Sequence, residues 1–215
     1  MATVSTAKKP GRPKDVSLRA RRREQILRIA TQLFAAYGYP NTEVQLVADT
    51  LGVGKGTIYR YFPSKRDLFL GAVDRGMRQL QKQVQTDTAT VSDPLQRIVC
   101  AIRTYLVFFE AHPEFVELFM QERAEFKDRK QPTYFEHREV TIAPWRDLAQ
   151  QLMTAGRLRS LPPERLTVVG DLLYGIMFTN YFAGHRQPAT AQAEDFLDVV
   201  FYGILSESER QHAGV

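Results

Sequence analysis

Four polar side chains between residues 54 and 61 have the types and the spacing needed to hydrogen-bond the edges of nucleic-acid bases. Lys55, Thr57, Tyr59 and Tyr61 supply one ammonium group, one hydroxyl and two phenols within seven residues. A lysine ammonium donates to guanine O6 or N7, and a threonine methyl packs against the methyl group of thymine. The chemistry indicated is therefore recognition of base edges in a groove, and not the making or breaking of bonds.

Two short helices joined by a glycine turn are predicted to hold these side chains. The first helix has one apolar face with i, i+3, i+4, i+7 spacing, formed by Val44, Val47, Ala48 and Leu51. Thr42 and Gln45 match a capping box, so this helix is predicted to begin at Thr42, and Gly52 ends it. A second helix over 54–61 turns Ile58 inward and leaves the polar side chains outside. This is the layout of a helix-turn-helix, whose second helix enters the DNA major groove.

A longer helix on each side is predicted to brace this unit. The helix before it covers about residues 18–37, and Gly38 stops it. The helix after it starts at Ser64, which forms another capping box with Asp67. Lys65 lies in the first turn of that helix, where a cation opposes the helix dipole. We interpret Lys65 as a clamp for a DNA phosphate that also meets the free N–H groups of the helix.

The segment 52–69, GVGKGTIYRYFPSKRDLF, resembles the DNA-binding domain of the TetR family of bacterial transcriptional regulators, and the similarity runs from about Arg22 to Phe69. The resemblance implies DNA contacts by Thr42, Lys55, Gly56, Thr57, Tyr59 and Tyr61, with Lys65 on a phosphate. Glu43 departs from the family, which usually has Ser or Thr there, and its carboxylate would repel phosphate. The resemblance also implies a dimeric regulator that binds a palindromic operator and responds to a small molecule, with repression favoured over activation.

The basic charge of the chain is concentrated at its N-terminus. Residues 1–23 hold eight Lys or Arg against Asp15 alone, a net charge of +7, whereas residues 71–215 carry −3. Binding of a polyanion is therefore expected at the N-terminal end. Residues 1–17 are predicted to be a disordered arm, in which Lys8 to Lys14 resembles an AT-hook that inserts Arg12 into the minor groove. A solubilising tail with only diffuse phosphate contacts is the alternative.

The rest of the chain reads as helices, so the predicted fold is all-α with about nine helices. The predicted domains are the arm 1–17, a three-helix helix-turn-helix domain over 18–70, and a helical ligand-binding and dimerisation domain over 71–215. In the last domain, one long helix is predicted from Phe135 to Met153, kinked at Pro144. The last two helices are predicted over about 163–184 and 190–208.

The last two helices are apolar over more than one narrow stripe. Gly170, Gly175 and Gly203 would let another helix approach closely. An intramolecular core accounts for some of these apolar residues. A homodimer in which each copy contributes two helices to a four-helix bundle accounts for the rest.

A ligand pocket is the other site predicted in the C-terminal domain. Aromatic residues are dense in its helices, and the candidate lining consists of Phe109, Phe119, Arg123, Phe126, Trp145, Phe178 and Tyr181. His137, Asn180 and His185 are further polar candidates. The effector would be small and partly apolar. The alternative for each aromatic residue is ordinary core packing.

No catalytic, cofactor or metal site is predicted, so the protein is expected not to be an enzyme. The single cysteine, Cys100, lies among apolar residues, and the histidines lack metal-ligand spacing. No apolar stretch approaches the length of a membrane span and no signal peptide is recognised, so a cytoplasmic location is expected. A sequence-tolerant architectural DNA-binding protein is the main alternative function, and a helical enzyme is a remote one.

Overall fold

The computed structural model describes residues 16–184 and 187–202 of the 215. Within these residues there is no strand, and the all-α prediction is confirmed. The ten helices are α1 Val16–Asn41, α2 Val44–Thr50, α3 Lys55–Tyr59, α4 Lys65–Thr88, α5 Pro94–Ala111, α6 Pro113–Glu125, α7 Thr133–Thr141, α8 Ala143–Thr154, α9 Thr167–Ala183 and α10 Ala189–Tyr202. A 3₁₀ turn, Pro163–Leu166, precedes α9. The predicted arm up to residue 15, with Arg12, lies outside the described residues, as do His185 and Gly203.

The start of α2 corrects the predicted capping box. Thr42 does not cap α2, because its hydroxyl donates instead to the carbonyls of Gly38 at 2.8 Å and Leu33 at 3.2 Å. Glu43 is the N-cap residue and makes no side-chain cap hydrogen bond, while Gln45 donates to Asp49. Thr42 therefore closes the C-terminal end of α1, where the chain bends at Gly38 with φ +80°.

The turn between α2 and α3 and the start of α4 agree with the sequence patterns. Gly52 has φ +64°, a left-handed conformation that favours glycine, and it lies in the turn between the two helices. Ser64 accepts a hydrogen bond from the backbone N–H of Asp67 at 3.0 Å, which confirms the predicted cap of α4. α4 then packs against α1, α5, α6 and α7.

The predicted long helix around Trp145 is two helices. α7 ends at Thr141, and Pro144 lies in the first turn of α8. A proline is tolerated at that position because the N–H groups of a first turn have no partner within the helix. This break is why the described part of the chain has ten helices where about nine were predicted.

One hydrophobic core continues from the helix-turn-helix into the C-terminal helices. Phe69 of α4 packs edge-on against Phe34 of α1, with ring centroids 5.0 Å apart, and against Phe126 at 5.4 Å. Gly76 of α4 lies so close to Phe115 of α6 that an added Cβ would overlap that ring. A second cluster joins α5, α9 and α10.

α9 is more apolar and more exposed than a core helix. The stretch Glu164–Ala183 is long and apolar enough to cross a membrane by length and composition alone, with a mean hydropathy of 1.2. This corrects the expectation that no stretch approaches that length. Only 17% of its apolar 18-residue window is buried, and Val168, Leu172 and Phe182 are among the exposed side chains of the stretch.

Candidate nucleic-acid interface and central cavity

The outer side of α3 forms a polar surface, which we call the reading surface. Ile58 and the nearby Phe62 are buried and fix α3 to the core. The reading surface consists of Lys55, Gly56 and Tyr59, which are exposed, and Thr57 and Tyr61, which are half-buried. Tyr59 has 41% of its surface exposed. Because the buried side of α3 is apolar and the outer side carries donors and a methyl group, the surface has the chemistry of major-groove recognition.

Arginines beside the reading surface were not predicted from the sequence. The guanidinium of Arg19 lies 6.0 Å from the ring centroid of Tyr61, and that of Arg23 lies 5.1 Å from Phe62. Both are on α1, one helical turn apart, and both are exposed. Arg60 is exposed as well, with Nη2 3.4 Å from the Thr57 hydroxyl. The sequence revealed this excess of positive charge, but its position beside α3 depends on how α1 packs.

Two residues predicted to contact DNA have partners within the protein. Thr42 is fully buried, so its hydroxyl has no open path to a phosphate in this structure. Lys65 is half-buried, and its ammonium donates to the carbonyl of Pro40 at 3.0 Å above the ring of Tyr39. Lys65 therefore ties the start of α4 to the end of α1, next to the helix-turn-helix.

A cavity of about 480 Å³ lies between α4, α5, α7, α8 and α9, and we call it the central cavity. Its volume is in the usual range for small-molecule sites. Most of its wall is apolar. The lining residues are Met77, Leu80, Gln81, Val84 and Gln85 of α4; Ile98, Ala101, Ile102 and Tyr105 of α5; Tyr134, His137, Arg138, Val140, Thr141 and Ile142 of α7 and its end; Pro144, Trp145, Arg146 and Ala149 of α8; and Leu166, Val169, Gly170 and Leu173.

The polar groups in the cavity wall are mostly paired. The hydroxyls of Tyr105 and Tyr134 lie 2.9 Å apart. Burial is the main cause that raises the pKa of both phenols, to about 12 for Tyr134, so both are neutral near pH 7. Arg138 donates to Asp171 at 2.6 Å and to the carbonyl of Thr167 at 3.2 Å.

One polar contact connects the cavity wall to α4. Nε2 of His137 lies 2.8 Å from Oδ1 of Asp74, and Arg78 donates to the other oxygen of that carboxylate at 2.7 Å. Burial opposes ionisation of Asp74, but the hydrogen bonds from His137 and Arg78 outweigh it and lower the pKa of Asp74. Arg75, the next residue of α4, bonds Glu24 of α1 at 2.5 Å. α4 is thus bonded to the cavity wall through Asp74 and to α1, next to the helix-turn-helix, through Arg75.

The chain is similar to known transcriptional regulators. Residues 26–72 match the family described as bacterial regulatory proteins, tetR family. An uncharacterised HTH-type transcriptional regulator of Mycobacterium tuberculosis is 26% identical over 208 residues, which cover 92% of this chain and 94% of that protein. The HTH-type transcriptional repressor KstR2 of Mycolicibacterium smegmatis is 23% identical over 205 residues, covering 94% and 99%.

The chain belongs to the TetR family of bacterial transcriptional regulators.

Solved structures of TetR-like regulators share the fold. FadR from Bacillus subtilis, in complex with stearoyl-CoA, aligns with a TM-score of 0.66 at 17% identity, covering 85% of this chain and 99% of that one. AibR, in complex with isovaleryl coenzyme A and operator DNA, aligns with a TM-score of 0.64 at 19% identity, covering 84% and 98%. The relatives are regulators, in line with the expectation that this TetR-family chain is not an enzyme.

The seven residues predicted for a ligand site are dispersed in this TetR-family fold. Trp145 lines the central cavity, and the other six are not among its lining residues. Phe109, Phe119 and Phe126 are buried in the main core, and Phe178 packs against it. Arg123 is exposed, and the hydroxyl of Tyr181 donates to Glu117.

Sequence reasoning found part of the cavity wall. His137, proposed as a polar candidate, lines the cavity, whereas the side chain of Asn180 pairs with Gln192 outside it. Tyr105 and Tyr134 were missed, because their meeting depends on the packing of α5 against α7. The only local feature that could have indicated Tyr105 or Tyr134 as a lining residue is a tyrosine on an otherwise apolar helix face.

Proposed function

We propose that this TetR-family protein is a cytoplasmic repressor that binds a palindromic operator as a homodimer and is released by a small molecule in the central cavity. The observation that carries the proposal is the position of α4. It starts beside the reading surface at Ser64, and its residues from Met77 to Gln85 form one wall of the cavity. A ligand that displaces this wall acts on the same helix that positions the DNA-binding end.

The proposed operator contacts come from the reading surface. Lys55 and Tyr59 offer hydrogen-bond donors, and Thr57 offers a methyl group for thymine. Arg19 and Arg23 would supply phosphate contacts next to α3, together with the N-terminal arm that includes Arg12. Attraction of these basic side chains to phosphates does not depend on the DNA sequence, so the specificity for the operator sequence would come from α3.

The proposed dimer interface is the exposed apolar face of α9 and α10. Val168, Leu172 and Val199 each have about half of their surface exposed, at 51%, 48% and 51%. An apolar face of this kind usually marks an interface. Gly175 has no heavy atom within 4 Å of a built Cβ, which leaves space for a second helix. A C2 dimer through this face would present two reading surfaces to two symmetric half-sites.

The proposed switch is a change in the separation of the two reading surfaces. A dimer reads one face of the duplex when its recognition helices are about 34–36 Å apart or a multiple of that distance. A ligand shifts this geometry only if it binds one conformation better than the other. FadR and AibR, which share the fold, have structures with acyl-CoA ligands, so an acyl thioester is a reasonable first probe for this cavity.

Selection on random duplex DNA followed by effector titration tests the proposal. We expect the full-length protein to enrich two inverted half-sites, and an acyl-CoA to weaken binding to the enriched operator by about 5–150-fold. Trp145 is the only tryptophan and lines the cavity, so the same titration should change its fluorescence. If the selection enriches no symmetric motif, an architectural DNA-binding protein is favoured over an operator-specific regulator. A promoter carrying the operator should become more active when the gene is deleted, and a loss of activity would indicate an activator.

A further inference from the structure

The central cavity has two chemically different ends. Four lining residues are exposed and mark its mouth: Gln85, Val140, Pro144 and Arg146. Other lining residues are buried and mark its inner part, among them Leu80, Ile102, Tyr134 and Leu173. A ligand that fills the cavity therefore has one end in an apolar, water-poor environment and the other end near solvent.

The inner end contains a pair of hydroxyls with spare hydrogen-bonding capacity. Tyr105 and Tyr134 share one hydrogen bond, and the next partner is the sulfur of Met177, 3.7 Å from the Tyr105 hydroxyl. A thioether sulfur is a weak acceptor. If Tyr105 donates to Tyr134, the proton of Tyr134 is left for a ligand oxygen; in the reverse arrangement, the oxygen of Tyr134 can accept from a ligand hydroxyl. The pair can therefore serve a carbonyl or a hydroxyl group.

The inner end does not suit a charged group. Tyr134 is buried and Tyr105 is half-buried, and desolvation raises the pKa of each, which reflects the cost of a charge in that environment. The nearest cation in the wall, Arg138, is already bonded to Asp171. A neutral oxygen at this end gains a hydrogen bond without the penalty of burying an ion.

The mouth, in contrast, favours negative charge. No Asp or Glu is among the residues that line the cavity, and one of the four residues at the mouth is a cation, Arg146. The other two basic lining residues, His137 and Arg138, are half-buried. His137 and Arg138 are bonded to Asp74 and Asp171. In the part of the chain that the structure describes, no carboxylate lies within ion-pair distance of Arg146, which is exposed at the mouth. Arg146 is therefore available to an anion.

We propose that the ligand of the central cavity is an elongated apolar acid, or its thioester with an anionic carrier, that bears a neutral oxygen group at the far end of its chain. The far oxygen, a hydroxyl or a ketone, hydrogen-bonds the hydroxyl of Tyr134, whose partner within the protein is Tyr105. The apolar chain lies against Leu80, Ile102 and Leu173, and the anionic end lies at the mouth beside Arg146. This inference rests on the proposed function and specifies the chemical class of its effector.

Binding of four matched probes to the full-length protein tests this assignment without DNA. The probes are dodecanoate, ω-hydroxydodecanoate, methyl ω-hydroxydodecanoate and ω-hydroxydodecanoyl-CoA, followed by calorimetry and Trp145 fluorescence. We expect ω-hydroxydodecanoate to bind about three- to ten-fold more tightly than dodecanoate, because of one additional hydrogen bond. It should also bind about two- to five-fold more tightly than its methyl ester, because of the charge at Arg146. The tighter of the free acid and its CoA thioester identifies the source of the ligand.

Two variants with matched controls locate the two ends. Tyr134→Phe should make ω-hydroxydodecanoate and dodecanoate bind equally, while Tyr174→Phe keeps the preference. Tyr174 packs on Tyr134 with ring centroids 4.7 Å apart but does not line the cavity. Arg146→Gln should remove the preference for the acid over the methyl ester, while Arg159→Gln, an exposed arginine outside the lining, keeps it.

The outcomes separate this inference from the proposed function. Equal binding of the hydroxylated and plain acids by the unmodified protein, or binding of none of the four probes, overturns the ligand class. Retention of both preferences in the Tyr134→Phe and Arg146→Gln variants overturns the assigned positions. A probe that binds with the expected preferences but leaves operator affinity unchanged supports the ligand class and contradicts the proposed release from DNA.

Discussion

At the scale of single residues, burial separates side chains that face a partner from those that hold the fold. Tyr59 and Thr42 were both predicted to contact DNA, but Tyr59 is exposed on α3 and Thr42 is buried. The exposure of Tyr59 could be predicted because the order of apolar and polar residues within α3 already separates a buried side from an outer side. That of Thr42 could not, because its hydroxyl bonds Leu33, nine residues earlier, only after the chain bends at Gly38.

The first residue-scale prediction concerns base reading by Tyr59. Tyr59→Ala should lower the affinity for the selected operator by about 1–3 kcal/mol, the scale of a direct base contact, with little change in affinity for random DNA. Thermal unfolding should be unchanged, because the side chain is exposed. Fluorescence anisotropy at matched salt measures both affinities. Tyr59→Phe separates the hydroxyl from the ring, and unchanged operator binding by the alanine variant would remove Tyr59 from the interface.

The second residue-scale prediction concerns Glu122, a buried carboxylate of α6. It accepts from the N–H and hydroxyl of Thr133 at 3.0 and 2.8 Å, at the start of α7. Burial raises its pKa above the ordinary 4.5, although Thr133 and Arg129 oppose that shift. At a pH between the ordinary pKa of 4.5 and the raised pKa, Glu122 holds a proton in the folded state that it has lost in the unfolded state. The free energy of unfolding therefore falls as pH rises through this window.

Glu122→Gln removes this titration and keeps much of the hydrogen bonding. We therefore expect the unmodified protein to gain stability relative to the variant as pH falls from about 7 towards 4.5. Urea unfolding at several pH values measures the difference, which should level off above the raised pKa. A difference that is constant across this range, or that grows with pH, would contradict the assigned shift.

At the scale of helices, local patterns predicted some of the helix ends, and contacts between distant residues decided the rest. The cap of α4 by Ser64 and the turn at Gly52 follow from neighbouring residues, and both are present. The cavity wall, in contrast, combines residues as distant in sequence as Met77 and Leu173. No periodicity within one helix indicates which side chains of five helices will meet, so only Trp145 among the seven predicted residues lines the cavity.

The helix-scale prediction concerns the close approach of α4 and α6 at Gly76. Gly76→Ala places a methyl group against the ring of Phe115, where an ideal Cβ would overlap the nearest ring carbons. We expect a loss of about 1–3 kcal/mol in the free energy of unfolding, the usual effect of overpacking. Phe115→Leu in the same chain should recover part of that loss, because the smaller side chain makes space. Additive effects in the double variant would show that the two residues do not compete for space.

At the scale of the whole molecule, charge and apolar surface divide between the two ends of the chain. The N-terminal 23 residues carry +7, while the exposed apolar side chains of α9 and α10 lie in the C-terminal part. This division was visible in the sequence because charge is a matter of composition. The connection between the two ends could not be predicted from the sequence, because the core that joins them depends on contacts between α1, α4 and α6.

The prediction at this scale concerns the N-terminal arm. Deleting residues 1–17 should flatten the slope of log K against log salt by about 0.9 for each phosphate that the arm no longer neutralises. If Arg12 enters the minor groove, Arg12→Gln alone should weaken binding most on operators with A·T-rich flanks. Salt titrations of operator binding measure both effects. An unchanged slope and unchanged flank preference would leave the arm as a solubilising tail.

The core shared by the two ends limits how this regulator can be re-engineered. A chimeric biosensor made by exchanging the C-terminal part after Leu70 would separate Phe34 and Phe69 from Phe126, which pack together in one cluster. The incoming sensor would have to bring a complementary surface for α1, or the junction would expose aromatic rings. The residues that contact DNA and ligand can therefore be exchanged individually. The core that connects them has to be kept intact in any engineered variant.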